Sequence, residues 1–194
     1  MLAGIDYGSK LSGTTVICYG QTVSNLKFAN APIKQDADKY IMKILTDLMP
    51  DIICIDAPLS LPGIYAHLHE FNDYFYRDSD KKLHAMSPMF LGGLTARAMK
   101  IKSILNNMNI PVLETYPAAL VKHLELAEHY IKKDKTKINS FLQMLMTKFE
   151  MEPNLSQIKD WHHVDALLCW MSANRITHQL HLTYGNIDEG VIMI

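Results

Sequence analysis

Four consecutive apolar residues, Ile52-Ile53-Cys54-Ile55, stand between two aspartates in the run DIICID at positions 51–56. So short a run without polar alternation reads as a strand buried on both faces, and such strands belong to sheets that helices cover on each side. The segment before it supplies one cover. Ile41, Ile44, Leu45 and Leu48 fall at i, i+3, i+4 and i+7, Asp36 and Asp38 favour the N-terminal end of a helix over 36–49, and Pro50 helps to stop it. Further upstream the pattern is β. Leu2 to Asp6 is a short apolar run, Gly8, Ser9 and Gly13 supply a turn, Thr14 to Tyr19 is β-branched and apolar, and Gly20-Gln21 turns the chain into Thr22 to Phe28. Three strands joined by tight turns make an antiparallel meander, and the helix then carries the chain across to a parallel strand.

Residues 57–93 are poorly patterned. They hold Pro58, Pro62, Pro88, the pair Gly92-Gly93 and many aromatic residues, and they read as a lid-like insertion at about 59–93, partly helical. Leu94, Ala98, Ile101, Leu105 and Met108 predict a second helix, and Ile110 to Glu114 another short strand. Tyr116-Pro117 opens a third helix with a stripe of Leu120, Leu124, Ala127 and Ile131. The basic connection KKDKTK (132–137) leads to a fourth helix marked by Ile138, Phe141, Leu142, Leu145 and Phe149, which Glu152-Pro153-Asn154 breaks. A fifth helix runs from Asp160 to about His178, and Leu180 to Ile194 reads as a hairpin around 185–190. This order predicts one α/β domain over 1–194, a mixed five-stranded sheet with helices on both faces. The apolar tail Val191-Ile192-Met193-Ile194 leaves three roles open: completing the sheet, covering a helix, or pairing with another subunit as a dimer.

Composition narrows the class. With 48% hydrophobic residues and 194 in all, the chain is long enough to bury a core. No apolar run reaches the ~20 residues of a membrane span, the first residues lack a signal-peptide pattern, and three scattered cysteines form neither a disulfide framework nor a zinc pattern. A cytoplasmic setting without a membrane partner is expected. Nineteen basic against twenty acidic residues argues against a broadly basic duplex-binding surface.

The chemistry lies in carboxylates. Asp6, Asp56 and Glu114 each end a strand, and parallel strands open their C-terminal ends on one sheet edge, where α/β proteins place ligands. With strands about 4.8 Å apart, Asp6 and Asp56 come close enough to share a metal ion if the strand from 51 lies beside the first, and Glu114, one strand further out, has to reach inward with its longer side chain. Asp165 is the fourth acid. In WHHVDALLCWMSA it shares a helix face with Ala166, Cys169, Ser172 and Ala173, small residues that let a helix approach a sheet closely. Asp160 is already available as that helix's cap, which frees Asp165 for another role. Clustered carboxylates repel unless a cation neutralises them, and oxygen-only ligands suit Mg²⁺ or Mn²⁺. Such ions activate water and stabilise a leaving oxygen, the chemistry of phosphodiester hydrolysis.

Four motifs in order, GIDYGSKLSG, DIICIDAPLSLP, ETYPAAL and HHVDALLCWMSA, resemble domain-of-unknown-function family 429, regarded as predicted nucleases of the RNase H-like superfamily. The resemblance covers nearly the whole chain. It implies the strand order 3-2-1-4-5 with the second strand antiparallel, and a site at Asp6, Asp56 and Asp165. The final motif is similar to the last helix of Holliday-junction resolvases, where a residue one turn before the final aspartate joins the site. That similarity implies a role for His162 as metal ligand or proton carrier, a task suited to its near-neutral titration. The chain departs from RNase H in offering no clear acid from its first helix, a place Glu114 is expected to take.

Two functions follow as expectations. One is a metal-dependent nuclease on DNA or RNA, with Asp6, Asp56 and Asp165 as ligands, Glu114 and His162 auxiliary, and Lys10, Lys100 and the KKDKTK run against backbone phosphate. The other is a non-catalytic RNase H-like binding or scaffolding module that presents Met86, Met89 and Phe90 to a partner. A sugar-kinase or actin-like reading is disfavoured by the length and by the lack of a Walker-type phosphate loop.

Overall fold

A computed structural model describes residues 1–149 and 155–194. The predicted break at Glu152-Pro153-Asn154 lies outside the described residues. Five strands, β1 (Leu2–Asp6), β2 (Val16–Gly20), β3 (Lys27–Asn30), β4 (Ile52–Asp56) and β5 (Val112–Glu114), form one sheet in the order β3-β2-β1-β4-β5. β2 is antiparallel to both neighbours, whereas β1, β4 and β5 are parallel. The region expected as a strand over 22–28 divides: Val23–Asn25 is a 3₁₀ turn, held by the Asn25 side chain accepting from the Gln21 and Thr22 amides, and pairing resumes only at Lys27.

Period-two alternation sorts the side chains of this sheet. Leu2, Val16, Cys18 and Cys54 face one way, and Ala3, Ile5, Ile17, Ile53 and Ile55 the other. On the second face lie α1 (Ala37–Leu48), with Ile41 and Leu45 buried, and α4 (Gly93–Asn107), with Ala98, Ile101 and Leu105 buried. Asp36 caps α1 by accepting from the amides of Asp38 and Lys39. On the first face lie α5 (Pro117–His123), α6 (Ile138–Phe149) and α7 (Trp161–Thr177). Each fully buried aliphatic side chain contributes about 1.5–3 kcal/mol.

α7 is the central helix. From Trp161 to Ala173 every residue except His162 is buried, and Asp160 caps it through the amide of His163. Its backbone rests directly on β1 at Gly4, where an added Cβ would stand 2.0 Å from the Trp170 nitrogen. Helix–sheet approach this close needs a strand residue without a side chain.

The third helix was expected to run through Ile131. It stops at His123 instead, because Glu125 takes a left-handed backbone (φ 58°), and the chain folds into a 3₁₀ turn at Ala127–His129. That early end swings Tyr130 and Lys132 towards the N-terminal end of α7.

The insertion is ordered. It contains a 3₁₀ turn (Gly63–Ala66), α2 (Asp78–Leu83) and α3 (Pro88–Leu91). The tail forms a separate hairpin, β6 (Thr183–Asn186) and β7 (Gly190–Met193), that packs on α2 rather than extending the main sheet. Its buried Glu189 accepts from the amides of Gly63 and Asp78 and so ties the tail to the insertion. Among the described residues no helix is long and apolar enough to cross a membrane.

Candidate active site

Parallel register sets Asp6 directly beside Asp56 at the C-terminal ends of β1 and β4. Both line a cavity of about 280 Å³, together with Tyr7, Met86, Leu94 and Tyr116. Asp165 is buried beside them on the first turns of α7. The three acids come from distant parts of the chain: the charges of Asp6 and Asp165 both act on Asp56, and that of Asp6 acts on Asp165.

Their partners differ. Asp6 Oδ2 accepts from His162 Nδ1 at 2.7 Å, a contact that lifts the imidazole pKa above its ordinary value against the opposing effect of burial. Asp165 Oδ2 meets Lys132 Nζ at 2.5 Å, and its Oδ1 accepts from the Tyr130 hydroxyl. Burial raises Asp165 to about 6, with Lys132 pulling it down and Asp6 pushing it up. Burial likewise keeps the Tyr130 phenol protonated, helped by the Asp165 charge, so it remains a donor. Burial opposes the charge on Lys132, but Asp165, Asp56 and Asp6 outweigh it and hold the ammonium protonated.

Asp56 has no hydrogen-bond partner among the described residues. Its pKa stands well above the carboxylate range, first because of burial and then because of Asp6 and Asp165. A carboxyl raised in this way favours the fold below its unfolded pKa and costs stability as pH rises through the folded value. Asp56→Asn is therefore expected to stabilise the protein at pH 8 by about 1–2 kcal/mol, a gain that shrinks as pH falls towards ~4. Thermal unfolding of both proteins across that range checks it, and equal stability at pH 8 would remove the electrostatic cost assigned to this acid.

Glu114 departs from its expected auxiliary place among the ligands. It lies buried at the end of β5 in the wall of the same cavity, with both oxygens committed to Arg77. Its two oxygens accept from Arg77 Nη1 and Nη2 at 2.7 and 2.6 Å, and Oε2 also accepts from the Leu59 amide at 2.8 Å. Burial raises its pKa even so, with Arg77 working in the other direction. The acid stands at the pocket wall as the anchor of the insertion. The lysines read as phosphate contacts also divide: Lys10 pairs with Asp36 at 3.2 Å, and Lys132, first of the KKDKTK run, turns inward to Asp165.

The first helix does offer an acid. Asp38 accepts from Tyr7 at 2.6 Å and from Arg97 at 2.7 and 2.9 Å, so it is held as a structural clasp. Sequence reading missed Tyr130, Arg77 and Gly4, and gave Lys132 a phosphate contact in place of its pairing with Asp165. Only Gly4 carried a signal, as a glycine inside a strand.

The donors suit a hard divalent cation by chemistry, since all three acids offer only oxygen. Their arrangement is a different matter. Among the described residues no group of three or more His, Cys, Asp or Glu is set to hold a metal ion. Asp165 is drawn to Lys132 and Tyr130, and Asp6 to His162, leaving Asp56 as the open carboxylate.

No protein-family model and no curated protein matches the chain. The functional reading rests on the site alone.

Proposed function

We propose that this protein is a divalent-metal-dependent nuclease of the RNase H-like kind, hydrolysing phosphodiesters at Asp6, Asp56 and Asp165 with Mg²⁺ or Mn²⁺. The observation that carries the proposal is Asp56. It is a half-buried carboxylate with no hydrogen-bond partner among the described residues, registered beside Asp6 at the sheet edge where parallel α/β folds bind ligands. A structural role would have given it a partner, as Arg77 partners Glu114. Acids kept at a cost to stability belong to sites with work to do.

When bound, the ion supplies activation of a water and neutralises charge on the phosphodiester. The chain's own groups do the rest. Asp6 and Asp56 offer adjacent oxygens. His162 orients Asp6 through Nδ1–H and leaves its exposed edge to carry a proton. Lys132 and Tyr130 hold Asp165, and Lys132 neutralises the cluster until it gives way. The aromatic insertion, with Met86 and Leu94 at the pocket, limits what enters.

Calorimetric titration with Mn²⁺ should show binding that Asp56→Asn abolishes. Cleavage of single-stranded, duplex, hybrid and branched substrates with Mn²⁺ should fall by at least ~10²-fold in Asp6→Asn. Activity that survives Asp6→Asn would rule the site out. The second reading, a scaffolding module, is favoured by the lack of a formed three-ligand group and by the exposure of Tyr74, Phe75, Met86 and Phe90 on the insertion. A scaffold would ignore Mn²⁺, so the same titration decides between the two.

A further inference from the structure

The carboxylate cavity does not end at Tyr116. The same residue also lines a second cavity, of about 560 Å³. Three segments pass from one cavity to the other. His84 lines the second and Ala85 the first; Ala118 lines the second and Thr115 the first; and on the terminal hairpin Tyr184 lines the second and Ile192 the first. The two cavities therefore adjoin at Tyr116, one at the sheet edge and one beside the C-terminal end of α2, and together they offer a candidate groove.

Its charge changes sign along the way. Every acid on its walls is at the first end: Asp6 and Asp56, together with Asp80 and Glu114, whose charge Arg77 offsets. At the second end the charges are those of Lys82 and Lys122, beside His84 and His123, and among the described residues no acid lines the wall. In a chain of nineteen basic and twenty acidic residues, this separation is not the average surface. The nearest counter-charge, Asp78, pairs with Lys82 at 2.7 Å, but both are well exposed and such pairs contribute little. Behind His123 stands a further cation: Arg175 Nη2 donates to His123 Nε2 at 3.2 Å, while its buried Nε has no hydrogen-bond partner.

We propose that the second cavity is an anion subsite, taking a backbone phosphate of a nucleic-acid strand whose neighbouring phosphodiester lies at the carboxylates. The proposal rests on the nuclease reading and deepens it by naming where the strand is held. An acidic pocket repels a polyanion, so the strand has to be gripped elsewhere along the groove. The lysine side chains beside the exit provide that grip without adding base specificity. Local placement of the basic groups also explains how a chain of near-zero net charge can hold nucleic acid.

The test is fluorescence anisotropy of fluorescein-labelled ten-nucleotide oligothymidylate in EDTA, so that no metal takes part. Wild type should bind, and Lys82→Gln/Lys122→Gln should weaken binding by about tenfold or more and flatten its salt dependence by up to ~2 in slope. Both lysines are exposed, and an unchanged circular dichroism melt shows that the double variant folds. Asp56→Asn should bind no more weakly than wild type, since it removes an acid. Wild type that fails to bind, or a double variant that binds like wild type, overturns the subsite. Strand binding through these lysines with no Mn²⁺ binding keeps the subsite and sinks the nuclease reading. Mn²⁺-dependent cleavage with unchanged binding by the double variant does the reverse.

Discussion

Gly4→Ala is expected to destabilise the protein by more than ~3 kcal/mol and to lower its melting temperature by roughly 6–12 °C. The added methyl would lie 2.0 Å from the Trp170 nitrogen, 2.5 Å from the Ala166 oxygen and 2.6 Å from the Cys169 carbonyl carbon. All three are backbone atoms of α7, so no rotamer change relieves the clash. The whole helix has to retreat by about 1.5 Å to restore carbon contact distance. That retreat opens the main core and draws Asp165 away from Asp6 and Asp56, so Mn²⁺ affinity should fall even in the fraction that stays folded. Gly93→Ala is the control. Its methyl meets nothing within 4 Å at the start of α4, and a helical alanine there should be neutral or stabilise by about 0.4–1 kcal/mol. Thermal melts of the two variants side by side give the answer, and a Gly4→Ala protein melting within 2 °C of wild type would mean that α7 is not seated on β1 as described.

Arg77→Leu is the other large effect. Arg77 is fully buried and all five of its donors are used. Nε and Nη2 donate to Asp80 at 3.0 and 2.6 Å, Nη1 donates to Ser60 at 2.8 Å, and Nη1 and Nη2 grip Glu114 at 2.7 and 2.6 Å. Leucine fills part of the space but leaves two buried carboxylates without a counter-charge, a loss of about 3–5 kcal/mol and roughly 10 °C in melting temperature. Lysine cannot replace the fork. The loss should depend on pH with a definite sign. Glu114 is already raised by burial, and removing Arg77 raises it further. A carboxyl raised in the fold favours folding at low pH and opposes it as pH climbs through its folded pKa. The penalty of Arg77→Leu should therefore be largest at pH 8 and shrink at pH 5.5. Urea unfolding at both values tests this, and a pH-independent penalty would assign the loss to packing rather than charge.

These variants also mark where sequence reading succeeds and where it stops. The DIICID strand, the helix over 36–49 and the Asp160-capped final helix follow from periodicity and capping, which involve residues a few positions apart. That Asp6 and Asp56 share a sheet edge was legible for the same reason, because each ends an apolar run and parallel strands align their ends; that their strands are neighbours is a matter of the sheet pairing. The stripe of small residues on the last helix announced a close approach, and Gly4 is its counterpart on the sheet. Glu114 looked equivalent to the other acids and was not. Its partner Arg77 lies 37 residues away in a segment without periodic pattern. The stop at Glu125 had no glycine or proline to announce it, and without that stop neither Tyr130 nor Lys132 would have met Asp165.

Local pattern alone was enough to say which residues build strands and helices, and that several acids gather at one sheet edge, because hydrophobic periods and strand direction are short-range properties of the chain. Only the packed structure decided what each acid does there: Glu114 anchors the insertion, Asp165 is held by a lysine and a tyrosine, and Asp56 is left open. The charge of a buried group is governed by its nearest neighbours in space, and those neighbours arrive from segments whose separation along the chain carries no signal.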